Sequence, residues 1–223
     1  LLGPCTVLEI DFNDLHKNVS DVRSKLLPDT KLMCMVKASA YGSGSVEVSR
    51  ALQYWNCDYL AVAFVDEGVE LRQEGIRIPI LVLDPSVEAL ERIVEYDLEP
   101  EIYSFRVLQA MQDVLLRLKK KNYPIHIKID TGMHRAGFEE SDITKLISLL
   151  KNTSEIKVVS VFSHLVGSDD EQFDDFTKNQ IAYFRTCAEL IEQKVGYPIL
   201  KHVLNSSGIE RFPLYQFDMV RLG

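Results

Sequence analysis

The chain has 223 residues, 46% of them hydrophobic and 26% charged, and 33 acidic against 25 basic side chains give a formal net charge of −8. That balance leaves no basic excess to neutralise a phosphate backbone, which argues against nucleic acid as a partner. No run of 18 apolar residues and no charged leader followed by an apolar stretch is present, so neither a membrane span nor a signal peptide is indicated.

The order of elements begins with a short β-branched run, Thr6–Ile10, then Asp11 or Asn13 as a helix N-cap and an amphipathic stretch to Leu27. Pro28-Asp29 breaks it. Lys31–Val36 is the first strong strand, and a loop of small residues follows. Helical spacing returns over Ser45–Trp55. A strand at Tyr59–Ala63, a helix over Asp66–Gln73 and an apolar strand at Ile78–Leu83 come next. Ser86–Tyr96 is a helix capped by Ser86. Pro100–Tyr103 is a brief strand before a long helix over Ser104–Lys120, whose end carries the basic run Lys119-Lys120-Lys121. The remaining strands are Ile125–Ile129, Ile156–Phe162, Leu200–Leu204 and Met219–Arg221. Helices over Ser141–Lys151 and Phe173–Lys194 and a single turn at Ser206–Arg211 separate them.

Strands that are continuous apolar runs, alternating with helices, mean a parallel sheet covered by helices. Eight such units fit an α/β fold of the (β/α)8 TIM-barrel type, one domain over residues 1–223, truncated before its last helix. An open doubly wound sheet would want a Gly-x-Gly-x-x-Gly turn after an early strand, and none is present. The chain starts without Met and stops directly after an apolar segment, and reads as a piece of a longer polypeptide. Cys5, Cys34, Cys57 and Cys187 are scattered without Cys-x-x-Cys spacing. That usage gives no disulfide or zinc signal and points to a reducing compartment, the cytoplasm.

In a barrel, chemistry belongs at the C-terminal ends of the strands. Lys37 follows the first strand, in Val36-Lys37-Ala38-Ser39-Ala40-Tyr41-Gly42-Ser43-Gly44, and Leu83 ends the third. Lys128 lies in the fifth, before Asp130-Thr131-Gly132-Met133-His134-Arg135. His164 ends the sixth, Asn205-Ser206-Ser207-Gly208 follows the seventh, and Arg221 and Gly223 finish the eighth. Each has a plainer alternative: Asp130 as a turn cap, His164 as a core histidine, Arg135 as a surface charge, and Asn205 as a helix N-cap. A lysine in an apolar strand is costly unless paired, so Lys128 needs either a carboxylate or a chemical modification. No His/Cys/Glu cluster has metal-ligand spacing, so no metal is expected.

These stretches resemble bacterial alanine racemases. The Lys37 loop resembles their cofactor-lysine motif, and Lys128–Phe138 resembles their second signature. Ile78–Leu83, Ser163-His164-Leu165, Asn205-Ser206 and Met219–Gly223 match in the family's order. Ser39 and Ser43 depart from it, standing where members usually carry Asn and His. The resemblance implies pyridoxal 5'-phosphate (PLP) carried on Lys37. Tyr41, Ser206 and the backbone near Gly223 would hold its phosphate, and Arg221 would face its ring nitrogen. Leu83 and Asn205 would also lie against it. Arg135 would contact the cofactor and position the substrate carboxylate, His164 would join the proton-transfer network, and Lys128 is often carbamylated. It further implies interconversion of L- and D-alanine for peptidoglycan. The second base would be a tyrosine of a C-terminal β domain, absent from this chain and contributed by the partner in a homodimer. A non-catalytic PLP carrier built as a single barrel, and another amino-acid racemase or decarboxylase barrel, remain open at this point.

Overall fold

The computed structural model describes residues 6–223, which leaves Cys5 outside the described part. Thr6–Ile10 forms no regular element. Helix α1 (Phe12–Ser24) starts at Asp11, whose carboxylate accepts from Asn13 N–H at 2.7 Å, so Asp11 and not Asn13 is the cap. It ends three residues short of Leu27.

Eight parallel strands follow: β1 (Lys31–Met35), β2 (Tyr59–Val62), β3 (Ile80–Val82), β4 (Glu99–Ile102), β5 (Tyr123–Lys128), β6 (Ile156–Phe162), β7 (Leu200–His202) and β8 (Met219–Leu222). Their order in the sheet is β7-β6-β5-β4-β3-β2-β1-β8. Two backbone bonds join the remaining edges, Asp218 N–H to Lys201 O at 3.1 Å and Arg221 N–H to Leu204 O at 3.0 Å. The sheet is thus a nearly closed barrel. Between strands run α2 (Lys37–Tyr41), α3 (Ser45–Tyr54), α4 (Val65–Gln73), α5 (Leu90–Glu95), α6 (Phe105–Arg117), α7 (Ile143–Lys151), α8 (Asp174–Val195) and α9 (Ser206–Arg211).

Three local expectations change. The Ser86 side chain makes no capping bond, and a 3-10 turn (Val87–Ala89) precedes the shorter α5. The lysine run Lys119–Lys121 lies beyond the end of α6, and Lys119 has φ 53°, so it does not form the helix's last turn. The loop after β1 is a wound segment: Ala38, Ser39, Ala40 and Tyr41 all have φ between 50° and 55°. Consequently α2 is a left-handed turn. Among the described residues no helix is long and apolar enough to cross a membrane.

Two layers of packing follow from the two-residue period of the strands. Outward residues such as Leu32, Cys34, Leu60, Ile80, Ile102 and Ile127 form the main core beneath the helices. Inward residues fill the lumen, and they divide by sector. Met33, Tyr59, Ala61, Leu81 and Met219 make one part apolar. Glu99 and Glu101 of β4, His126 and Lys128 of β5, Ser160 of β6, His202 of β7 and Arg221 of β8 make the rest polar. Of these, all but Glu99 are under 10% exposed.

Candidate active site

At the C-terminal ends of the strands a cavity of about 660 Å³ opens, and every strand or the loop after it contributes to its wall. All nine residues expected from sequence as catalytic or cofactor-binding line it: Lys37, Tyr41, Leu83, Arg135, His164, Asn205, Ser206, Arg221 and Gly223. Lys128 lies there as well. Among the described residues no group of three or more His, Cys, Asp or Glu side chains is placed to hold a metal ion.

Arg221 is the most firmly fixed of them. It is 5% exposed, and its guanidinium donates to Ser163 O at 2.6 Å, Val203 O at 3.1 Å, His202 O at 3.2 Å and His202 Nδ1 at 2.8 Å. Burial lowers its pKa to about 10, so it remains a cation at neutral pH. Because arginine only donates, His202 Nδ1 must accept and its Nε2 must carry the proton. That proton points to Ser160 Oγ at 3.0 Å, and Ser160 in turn pairs with His126 Nδ1 at 2.6 Å. His126 Nε2 meets Glu99 Oε2 at 2.7 Å, which ends the row on an acceptor. A hydrogen-bonded column therefore runs down the lumen with a single direction. Burial, and then the charge of Arg221, push His202 well below its ordinary pKa, consistent with a neutral ring.

Lys128 and Glu101 form a second buried group, with Nζ 3.4 Å from Oε1. The other carboxylate oxygen, Oε2, is buried and unpartnered. Burial drives the pair towards neutrality. It lowers Lys128, against the pull of Glu101, and raises Glu101 to about 7, against the pull of Lys128, Arg221 and Arg135. His164 stands beside these cations. Burial first, then Arg221, Lys128, Arg135 and Lys37, lower its pKa to about 3, which makes it a neutral and weakly basic ring. Arg135 is largely exposed at the cavity wall.

Opposite them, Tyr41, Ser206 and Gly223 converge. Ser206 Oγ donates to Gly223 O at 2.8 Å and lies 3.0 Å from Gly223 N. A Cβ on Gly223 would fall 2.8 Å from Tyr41 Oη, so only glycine leaves the hydroxyl its place. Asn205 is largely committed elsewhere: its Oδ1 caps α9 through Gly208 N–H at 3.0 Å and accepts from Ser168 Oγ at 2.7 Å. Asp130 likewise serves the backbone, accepting from the N–H groups of Gly132, Met133 and His134. The plainer alternatives hold for these two side chains.

Residues 10–223 match the family model described as alanine racemase, N-terminal domain. The chain belongs to the alanine racemase family. It is 38% identical over 221 residues to alanine racemase 1 of Oceanobacillus iheyensis, covering 97% of this chain and 57% of that protein. With the alanine racemase of Synechocystis sp. it shares 35% over 218 residues, covering 97% and 58%. Among solved structures, alanine racemase of Clostridium difficile 630 superposes with a TM-score of 0.88 at 34% identity, covering 95% of this chain and 55% of that one. The alanine racemase of Bartonella henselae with covalently bound pyridoxal phosphate gives 0.84 at 25% identity, covering 96% and 60%. The chain thus spans a little over half the length of the alanine racemases it matches.

Within this alanine racemase domain, reasoning from sequence missed Glu101, His202 and Glu67. Glu101 had a partial signal, since Lys128 needed either a carboxylate or a chemical modification. His202 had only its place, the middle of the expected strand Leu200–Leu204, where it proves to be the last residue of β7. Glu67 stands at the third position of α4, where its carboxylate accepts locally from Ala63 N–H at 2.7 Å and Phe64 N–H at 3.0 Å; its contact with Ala38 N–H at 2.6 Å is made by the fold alone.

Proposed function

We propose that this chain is the cofactor-binding barrel of an enzyme that interconverts L- and D-alanine with pyridoxal 5'-phosphate. The observation that carries it is the convergence on one cavity of a single lysine turn, a fixed buried arginine and a hydroxyl-lined cradle shaped by Gly223. This donor set suits the group. Tyr41 Oη, Ser206 Oγ and the amide of Gly223 offer donors to a phosphate, and Arg221 offers a permanent donor to a ring nitrogen. When bound, the cofactor supplies an electron sink that makes the α-proton of an amino acid removable.

Lys37 holds the cofactor and its Nζ takes or returns the α-proton on one face. Arg221 keeps its own proton and donates a hydrogen bond only, which weakens the sink and restrains side reactions. Arg135, exposed at the wall, receives the substrate carboxylate. His164 is too weak a base to serve the other face and acts as a hydrogen-bonding group; by resemblance to the family, a tyrosine of a partner's C-terminal domain would be the second proton-transfer group. Tyr41, Phe64, Val166, Phe173 and Phe176, between 42% and 58% exposed, follow strand ends on this side of the barrel or open the helix after one. Such an apolar rim suits cover by another domain or a second subunit, and we place the working protein as a cytoplasmic homodimer, in keeping with the free buried thiols of Cys34, Cys57 and Cys187.

The test is borohydride reduction of the chain after loading with pyridoxal phosphate, followed by peptide mapping. Label fixed on Lys37 is expected. Label spread over surface lysines, with Lys37 unmodified, defeats the proposal.

A further inference from the structure

Helix α8 buries Thr177, Gln180, Ile181 and Phe184 along one face, a spacing that makes position 180 a core position. Gln180 is 1% exposed there. An apolar side chain would fill the space without the cost of burying an amide, so its polar atoms need a reason. They have partners behind the rim of the cavity. Oε1 accepts from Val166 N–H at 3.2 Å, and Nε2 donates to His164 O and to Thr131 Oγ1, each at 3.2 Å. These partners fix the amide's orientation, because Val166 N–H only donates and His164 O only accepts. Thr131 Oγ1 in turn lies 2.8 Å from Ser163 Oγ, and Ser163 O accepts from Arg221.

Strand β6 ends at Phe162, and one more backbone bond runs beyond it, from Ser163 N–H to His202 O. From His164 to Val166 side chains take over: Gln180 at His164 and Val166, and Asn205 Nδ2 at Leu165 O, 3.4 Å away. The loop after β5 meets α8 twice, at Thr131 through Gln180 and at Gly132, where an added Cβ would fall 3.0 Å from Phe176 Cζ. We propose that Gln180 is a positioning residue that ties the loop bearing Arg135 to the loop bearing His164, and so fixes where both groups meet the substrate. Its part in catalysis rests on the function proposed above, since Gln180 lies behind the cavity wall and not on it. His164 is the sensitive reporter. Its ring faces Arg221 of β8, Lys128 of β5, Arg135 of the loop that follows and Lys37 of α2. Burial first, and then these cations, hold it neutral. Slackening the tie lets the ring turn to water and away from the cations, which restores its basicity.

The test compares the unmutated chain with Gln180→Met and Thr131→Val, each with and without pyridoxal phosphate. Gln180→Met keeps the volume and removes all three bonds; Thr131→Val is a milder cut that removes one. Amide hydrogen exchange reads Val166, and NMR of ring-labelled histidine reads His164 from about pH 5 to 8. In the unmutated chain Val166 is expected to be protected and His164 not to titrate. In Gln180→Met, Val166 should exchange roughly tenfold faster or more. His164 should there titrate with a midpoint rising towards about 6.5, the ordinary histidine value, while strand amides and His202 stay as they were. Thr131→Val should leave Val166 protected and move His164 the same way, which carries the test if Gln180→Met does not fold. A His164 that titrates in the unmutated chain, or stays silent in every variant that folds, overturns the proposal. So does a loss of protection spread over the whole barrel, which would mark Gln180 as a core residue only. Borohydride label on Lys37 in the cofactor-loaded proteins reports separately on the cofactor reading, because the tie itself is measured without cofactor.

Discussion

Gly137 shows how one residue can make a whole signature necessary. It has φ +131°, and a Cβ there would fall 2.6 Å from Asp130 N and 2.8 Å from the carbonyl carbon of Ile129, both backbone atoms that cannot swing aside. The close approach lets the segment fold back on its own strand, with Phe138 N–H donating to Lys128 O at 2.9 Å and Asp130 N–H to Phe138 O at 3.0 Å. Most of Lys128–Phe138 therefore builds a loop, and Lys128 and Arg135 are the side chains it delivers to the cavity. Gly137→Ala is expected to destabilise the domain by roughly 3 kcal/mol, from overpacking and an unfavourable φ together. Urea unfolding measures it; a loss within about 0.5 kcal/mol, the range of ordinary surface changes, would show that the loop has room to move. Sequence alone placed Lys128 in a strand and required either a carboxylate or a chemical modification for it. It had no way to choose among the chain's acidic residues, because that choice is made by the register of β4 on β5.

At the scale of elements, the left-handed turn α2 is where sequence reasoning and structure part. Ala38-Ser39-Ala40-Tyr41 carries no signal for positive φ, and the stretch reads as a loop of small residues. The structure instead winds four L-residues into a conformation that costs roughly 1–2 kcal/mol each. What holds them is partly local, as in Ala40 N–H to Val36 O at 2.9 Å and Gly42 N–H to Ala38 O at 3.0 Å. The rest is the carboxylate of Glu67, 29 residues further on in α4. By contrast the helices and strands were legible almost throughout, since each packs one face on the barrel and shows that face as periodicity. Two substitutions should act with opposite sign. Ser39→Gly, at an exposed position with φ 54°, is expected to stabilise the chain by about 1 kcal/mol by relieving strain. Glu67→Ala leaves three N–H groups without their acceptor and is expected to destabilise by about 1–3 kcal/mol. Equal and negligible shifts in the urea midpoint for both would mean that the turn is neither strained nor clamped.

Across the whole molecule, the polar sector of the lumen sets how stability responds to acid. Folding keeps His164 and His202 neutral, both pushed down chiefly by burial, His164 to about 3. In the unfolded chain both take protons as pH falls through about 6.5. Glu101 works in the opposite sense. Folded, it keeps a proton up to about 7, whereas unfolded it releases that proton above roughly 4.3. Between about pH 5 and 6, then, the unfolded state binds two protons more at the histidines and one fewer at the glutamate, a net excess of one. Stability rises with pH wherever the unfolded state binds more protons, so it should fall on acidification across this window by about 1.4 kcal/mol per pH unit. Removing the opposing group, as in E101Q, should steepen the slope to about 2.8 kcal/mol per unit. Removing one histidine, as in His164→Asn, should flatten it towards zero. Urea midpoints measured from pH 5 to 6.5 on the three proteins decide the matter. If the slope is the same in all three, ordinary surface carboxylates dominate acid sensitivity, and the buried histidines and Glu101 exchange their protons as freely in the folded barrel as in the unfolded chain.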